Sequence, residues 1–274
     1  MAGVLYIVAT PIGNLEDITL RALRVLKEAD LIAAEDTRHT RRLLAHYGIS
    51  TPLASYYDQV ESARAPLLLK QLRAGKTIAL VCDAGTPALS DPGFRLIRQA
   101  LREDISVVPV PGPSALTAVL SVSGLAADRF VFEGFLPAKK SARRERLRSL
   151  RAERRCLVFF EAPHRLKQSL ADLLEIVGDR EVVVAREVTK LYEEFLRGRL
   201  SRVSDASAGR EWRGEITLMV AGSGEEEGAA DDVLRIEIKR LKKEGLRVKE
   251  IAEVLGERFS RPKREIYRLA LERD

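Results

Sequence analysis

The sequence predicts an α/β fold: two α/β domains that abut across a cleft, followed by a small C-terminal helical module. Three observations predict it. Short apolar runs rich in β-branched residues alternate with helical runs from Val4 to Val220. Turns rich in Gly, Pro or acidic residues recur where those strands end. Beyond Gly222-Ser223-Gly224-Glu225-Glu226-Glu227-Gly228 the strand pattern stops and only helical spacing remains.

In order, Val4-Leu5-Tyr6-Ile7-Val8-Ala9 reads as a buried strand, and Thr10-Pro11-Ile12-Gly13-Asn14 is a turn that continues neither strand nor helix. Asp17 or Thr19 can cap the helix carrying Leu20, Leu23, Val25 and Leu26. Leu31-Ile32-Ala33-Ala34 is a second strand ending in Glu35-Asp36-Thr37-Arg38, and the next helix closes at Tyr47-Gly48. A helix over 60–74 precedes the strand 77–82, which runs into Asp83-Ala84-Gly85-Thr86-Pro87. A further strand, 105–110, ends in Pro111-Gly112-Pro113-Ser114. A parallel sheet would set the turns at 10–14, 35–38, 83–88 and 111–114 along one rim, where open α/β sheets bind ligands. Strands at 130–135, 156–161, 181–187 and 215–220 and helices over 139–155 and 163–177 make a second unit. The predicted organisation is therefore residues 1–122 and 123–222 as α/β domains, 223–230 as an acidic linker and 231–274 as the helical module. That module reads either as a helix-turn-helix or as a helical cap packed on the second domain.

Composition narrows the function. No apolar run approaches the about 20 residues of a membrane helix, and the N-terminus enters a strand without a basic leader. A cytoplasmic protein without membrane contact is predicted, with Cys82 and Cys156 as buried thiols. Three histidines and no Cys/His cluster predict no bound metal. The net charge of +6 is uneven: residues 139–155 hold nine basic side chains against Glu145 and Glu153. Such a density predicts a polyanionic partner, with nucleic acid foremost. No G-x-G-x-x-G, P-loop or G-x-S-x-G motif occurs, which argues against nicotinamide, phosphoryl-transfer and hydrolase chemistry.

Seven short motifs occur in order between residues 4 and 221: Thr10-Pro11-Ile12-Gly13-Asn14-Leu15, Glu35-Asp36-Thr37-Arg38, Asp83-Ala84-Gly85-Thr86-Pro87, Pro111-Gly112-Pro113-Ser114-Ala115, Gly134-Phe135-Leu136-Pro137, Phe160-Glu161-Ala162-Pro163-His164-Arg165 and Arg186-Glu187-Val188-Thr189-Lys190. Together they closely resemble the bacterial ribosomal RNA small subunit methyltransferase I family of the tetrapyrrole methylase superfamily. The resemblance implies a two-domain methyltransferase, a homodimer, binding S-adenosylmethionine in the cleft. It also implies the reaction, methylation of a cytidine 2′-hydroxyl in the decoding region of 16S rRNA in the small ribosomal subunit. By position, Pro11, Asp83, Ala84, Gly85, Thr86, Ser114, Ala115 and Phe160 would line the cofactor. The loop reads Asp-Ala-Gly where tetrapyrrole methylases tend to carry Gly-Asp-Pro, a departure that fits the rRNA branch.

A ribose hydroxyl is a weak nucleophile, so a base, or a lysine favouring the alkoxide, would help. Glu35, Asp36, Glu187 and Lys190 are the candidates, because strand-end loops would project them into the cleft. Arg38, Lys139, Lys140, Arg143, Arg144, Arg148, His164 and Arg165 are the candidate RNA contacts. Two alternatives stay open on the residues: a small-molecule tetrapyrrole methylase, and a non-catalytic RNA-binding assembly factor.

Overall fold

The computed structural model describes residues 3–224, 234, 236–259 and 263–271. Residues 4–122 build a five-stranded sheet of β1 (Val4–Val8), β2 (Leu31–Ala34), β3 (Leu53–Ser55), β4 (Ile78–Val81) and β5 (Ser106–Val110). Their spatial order is β3-β2-β4-β1-β5, and every neighbouring pair is parallel. Helices cover both faces, so strand residues alternate between two cores. In β4, Ile78 and Leu80 pack with Leu68, Leu69 and Leu72 of α3 (Asp58–Arg73) and with Leu96 and Ala100 of α4 (Phe94–Arg102). Ala79 and Val81 instead join Ala22, Val25 and Leu26 of α1 (Leu20–Glu28) and Leu44 of α2 (Thr37–His46). Of the two candidate caps, Thr19 is the one that starts α1, its hydroxyl accepting from the Ala22 amide at 3.1 Å. Strand β3, three residues after Pro52, is too short for its periodicity to be recognised in the sequence.

Because the strands are parallel, the turns that follow β1, β2, β4 and β5 share one rim. Thr10 and Gly85 join two of them by reciprocal backbone hydrogen bonds of 2.8 and 3.0 Å.

After α5 (Ala115–Val122) the chain enters a second sheet, of β6 (Phe130–Phe135), β7 (Cys156–Glu161), β8 (Glu181–Arg186), β9 (Glu194–Arg199) and β10 (Ile216–Val220). The order is β6-β7-β10-β8-β9; only β6 and β7 are parallel. Strand β9 and α8 (Leu200–Ala208) are absent from the sequence reading. Glu194-Phe195-Leu196-Arg197-Gly198-Arg199 is charged and contains glycine, as suits an edge strand paired on one side. One face of this sheet packs on α6 (Lys140–Ser149), α7 (Leu166–Val177) and α8 through Leu147, Leu170, Leu173, Leu200 and Val203. The other face, with Val158, Val183, Ala185 and Met219, packs on Leu116 and Val119 of α5 and on Ile12. That shared core makes residues up to Ala221, apart from 152–154, one compact unit. The basic helix is shorter than predicted, ending at Ser149 rather than reaching 155.

Among the described residues, the second unit contains three helices, α9 (236–243), α10 (Val248–Arg258) and α11 (Lys263–Leu271). Ile238, Leu241, Ile251, Leu255, Ile266 and Ala270 form its own core, and Gly245, at φ +88°, makes the turn after α9. Most of the predicted acidic linker and parts of the predicted helical module lie outside the described residues.

Candidate active site

The site grows from the loop after β4. The Cys82 carbonyl accepts from the Thr10 hydroxyl at 3.0 Å, the Asp83 carboxylate from the Asp36 amide at 3.1 Å, and the Glu35 carboxylate from the Asp83 amide at 3.2 Å. Three strand-end turns are thereby tied together. At the far end of the loop, the buried Glu61 of α3 accepts from the Tyr56 hydroxyl and from the amides of Gly93 and Arg95, at 3.0–3.2 Å. A glutamate within a helix reads as an ordinary surface residue, so no sequence signal marked Glu61.

Backbone strain is concentrated here. Among the described residues, non-glycine residues at positive φ are Ala88, Ser90, Asp104, Glu187 and Thr189. All but Asp104 lie in the loop after β4 or the loop after β8. Such residues cost about 1–3 kcal/mol each and gather where function demands a fixed geometry.

Three cavities among the described residues border the loop after β4, and Lys190 of the loop after β8 borders one of them. One, of about 390 Å³, is lined by Glu35, Asp83, Ala84, Asp91, Ala115, Phe160 and Glu215 among others. A recess of about 70 Å³ beside it adds Gly85, Thr86 and Ser114. The third, about 370 Å³, shares Asp83, Ala84 and Glu215 with the first and is bounded by Pro11, Ile12, Gly13, Leu15, His39, Arg42, Leu43 and Lys190. Carboxylates dominate the first. Burial pushes the Glu35 carboxyl up, the Asp83 amide opposing it and the charges of Asp91, Asp83 and Asp58 adding to it. Burial likewise raises Asp91. Bringing a cation into this cavity would relieve that crowding. The donor set therefore fits a positively charged group flanked by flat, apolar surface from Phe160.

The third cavity is organised around Lys190. Its Nζ lies 2.9 Å from Glu187 Oε1 and 3.1 Å from Glu215 Oε2, and the same Glu187 oxygen accepts the Glu215 amide at 2.9 Å. Burial opposes both charges, yet the Glu215 amide and Lys190 hold Glu187 below the usual carboxyl range, while Glu187 and Glu215 hold Lys190 above that of a free lysine. Two glycines make room for the pair. A Cβ on Gly13 would stand 2.3 Å from Lys190 Cγ, and one on Gly214, at φ +83°, would stand 2.3 Å from Glu187 Cδ.

All eight residues assigned to the cofactor from the resemblance border one or more of these cavities. Glu35 and Lys190 border them as well, and Glu187 stands behind Lys190. Asp36 needs correction as a catalytic group. Its carboxylate caps α2 through the Arg38 amide at 2.8 Å and grips the Arg38 side chain, interactions that hold it far below the usual carboxyl range and make it a poor base. Arg38 is correspondingly engaged. Arg143 is also corrected: it is 1% exposed and bonded to Asp172 at 2.8 Å, out of reach of phosphate. Arg144 joins the same cluster through Asp172 and Glu175, and Arg165 is held against the buried Glu161 at 2.6 Å. Lys139, Lys140, Arg148 and His164 remain exposed, and none forms an ion pair among the described residues. Glu215 and Asp91 were not singled out in the sequence. Glu215 immediately precedes β10 and Asp91 sits in a Ser-Asp-Pro turn, both ordinary settings for an acid. No group of metal-ligating side chains occurs among the described residues.

Comparison with known proteins adds an independent line. Residues 4–204 match the family model of the tetrapyrrole (corrin/porphyrin) methylases. Ribosomal RNA small subunit methyltransferase I of Pseudomonas aeruginosa is 48% identical over 284 aligned positions, covering 99% of this chain and 98% of that one. The protein of the same name from Thermotoga maritima is 52% identical over 220, covering 80% of this chain and 99% of its own. Among solved structures, uroporphyrin-III C-methyltransferase of Thermus thermophilus, complexed with S-adenyl homocysteine, superposes with a TM-score of 0.57 at 23% identity, over 80% of this chain and 97% of that one. At that identity the likeness speaks for the fold alone.

Proposed function

The chain belongs to the ribosomal RNA small subunit methyltransferase I family, within the tetrapyrrole methylases, and on that premise we propose that it methylates the 2′-hydroxyl of a cytidine in the decoding region of 16S rRNA. The observation that carries the mechanism is the wall of Asp83, Ala84 and Glu215 common to two cavities, one acidic and one built around Lys190. S-adenosylmethionine, the cofactor, supplies a methyl group on a cationic sulfonium. Glu35, Asp83 and Asp91 match that charge and would hold it, Gly85 and Thr86 would line the recess beside it, and Phe160 would offer a face for its flat ring.

Lys190 stays protonated at neutral pH, so it acts as a donor rather than a base. It holds the ribose oxygen and stabilises the negative charge that develops there, the kind of aimed donor that is worth about 10²–10³ in turnover. Glu187 keeps Lys190 charged and pointed. Glu215, which borders both cavities, is the carboxylate suited to take the hydroxyl proton as the new O–C bond forms and the C–S bond breaks. Positioning of the two substrates supplies much of the remainder.

The proposed setting is the bacterial cytoplasm, with the small ribosomal subunit as partner and a homodimer as the working state. Exposed Lys139, Lys140, Arg148 and His164 are the proposed outer RNA contacts. The deciding experiment is transfer of labelled methyl to undermethylated small subunits with nucleoside analysis of the product. Labelled 2′-O-methylcytidine is the expected result; label on the base, or none on RNA, would sink the assignment.

A further inference from the structure

The loop after β4 is held at both ends, and its far anchor, Glu61, borders none of the three cavities. The near end is tied to Thr10 through Gly85. The far end, Ser90-Asp91-Pro92-Gly93, hangs on the Glu61 carboxylate, in the first turn of α3. One oxygen, Oε1, accepts the Gly93 amide at 3.1 Å, the Arg95 amide at 3.2 Å and the Tyr56 hydroxyl at 3.0 Å. The other, Oε2, lies 3.5 Å from Arg95 Nε. Gly93 is the N-cap of α4 and has no side chain with which to close that helix. Glu61 therefore caps α4 from another helix, its negative charge at the positive end of the α4 dipole. Tyr56 fixes the carboxylate against the sheet, because it is fully buried and its amide donates to the Ala34 carbonyl of β2 at 2.7 Å. Burial and the hydrogen bond to Glu61 push the Tyr56 phenol far up, so it remains a donor.

This anchor governs the residues just before it. Ala88 and Ser90 sit at φ +68° and +67°, conformations that persist only where the surroundings fix them. Pro92 stands between Asp91 and Gly93, and its ring locks φ, so the position of the Gly93 amide is passed on to Asp91. Gly93 is itself wedged, since a Cβ there would stand 3.0 Å from Leu80 Cδ2. Asp91 borders both the acidic cavity and the recess beside it. We infer that Glu61 is a positioning residue for the cofactor: by capping α4 it holds the strained turn that presents the Asp91 carboxylate to the sulfonium. The inference rests on the proposed placing of S-adenosylmethionine in the acidic cavity and extends it to a residue that touches neither substrate.

The test is S-adenosylmethionine affinity, measured by calorimetry on full-length variants below their melting temperatures. Glu61→Ala should raise Kd at least about tenfold, equivalent to about 1.4 kcal/mol. Glu61→Asp keeps the charge but withdraws the oxygen by one carbon–carbon bond, about 1.5 Å, and should also lose affinity. Glu61→Gln keeps an acceptor in place and should bind within about threefold of the parent chain. Asp172→Ala, a lesion remote from the loop, should bind as the parent chain does, which separates positioning from lost stability. In an Asp91→Ala background, adding Glu61→Ala should change Kd less than about twofold, since the two act through one contact. Parent-like affinity in Glu61→Ala and Glu61→Asp overturns the inference, as does an equal loss in Asp172→Ala or a tenfold loss that persists without Asp91. Should Glu61→Ala fail to fold, Glu61→Asp decides alone and in the Asp91→Ala background. An Asp91→Ala chain that binds as the parent does removes the cofactor from the acidic cavity, and both readings fall. Weakened binding by Asp91→Ala beside normal binding by the Glu61 variants overturns this inference only.

Discussion

The proposed chemistry rests on a few atoms, those of Lys190 and its two carboxylates. Lys190→Ala is expected to lower turnover about 10²-fold while leaving S-adenosylmethionine affinity within about twofold, as measured by single-turnover methyl transfer and calorimetry. Gly13→Ala tests the same atom from outside, because the added Cβ meets Lys190 Cγ at 2.3 Å; it should impair turnover without any change in charge. The pH behaviour of the pair follows from its shifts. Glu187 is lowered from 4.5, so its contribution to stability is complete above that value and is lost as pH falls through its lower, folded value. Lys190 is raised from 10.5, so its contribution is complete below that value and is lost as pH rises through its higher, folded one. Glu187→Gln should therefore change the pH dependence of melting temperature chiefly in the acid limb, and a limb identical to that of the parent chain would show the pair to be inert.

Helix α6 illustrates how one element divides its charges between two tasks. Arg143 and Arg144 turn inward to Asp172 of α7, and Arg146 meets Glu133 of β6 at 2.7 Å. Removing one member of the buried Arg143–Asp172 pair strands its partner. Asp172→Ala should therefore cost about 3–5 kcal/mol, read from denaturant unfolding. Lys139, Lys140 and Arg148, which remain outward, should govern RNA attraction instead. Changing all three to Ala should reduce the slope of log affinity against log salt by about 0.7 for each lost contact to single-stranded RNA, without altering stability.

The whole chain divides its work unevenly. Every residue of the three cavities belongs to the α/β unit, and the helical unit has its own apolar core. The Thermotoga maritima relative aligns over 220 positions that make up 99% of its length but only 80% of this chain. A chain ended after Gly222 is accordingly expected to keep S-adenosylmethionine affinity within about threefold, a difference below 1 kcal/mol by the affinity relation. Calorimetry on the shortened chain checks this, and loss of binding would assign the helical unit a share in forming the site.

Much of this was legible from local pattern. The alternation of Ile78-Ala79-Leu80-Val81 between two cores, the capping by Thr19 and the turn at Gly85 depend on a few neighbouring residues, so period and turn chemistry announce them. The loops that border the cavities were legible for the same reason, each being a short, uninterrupted motif. Pairing was not. Arg143 looks like Arg148 in sequence; only Asp172, 29 positions away, removes one of them from the surface. Asp36 looked like a base until α2 claimed it as a cap, and Glu61 and Glu215 acquire meaning from neighbours on other elements. The sequence by itself determined where most of the strands and the turns at their ends lie, because hydrophobic periodicity and backbone sterics act over a few residues. Tertiary structure alone decided which charges are free to act, because a charge is set by whatever opposite charge or amide the fold brings within about 3–4 Å of it.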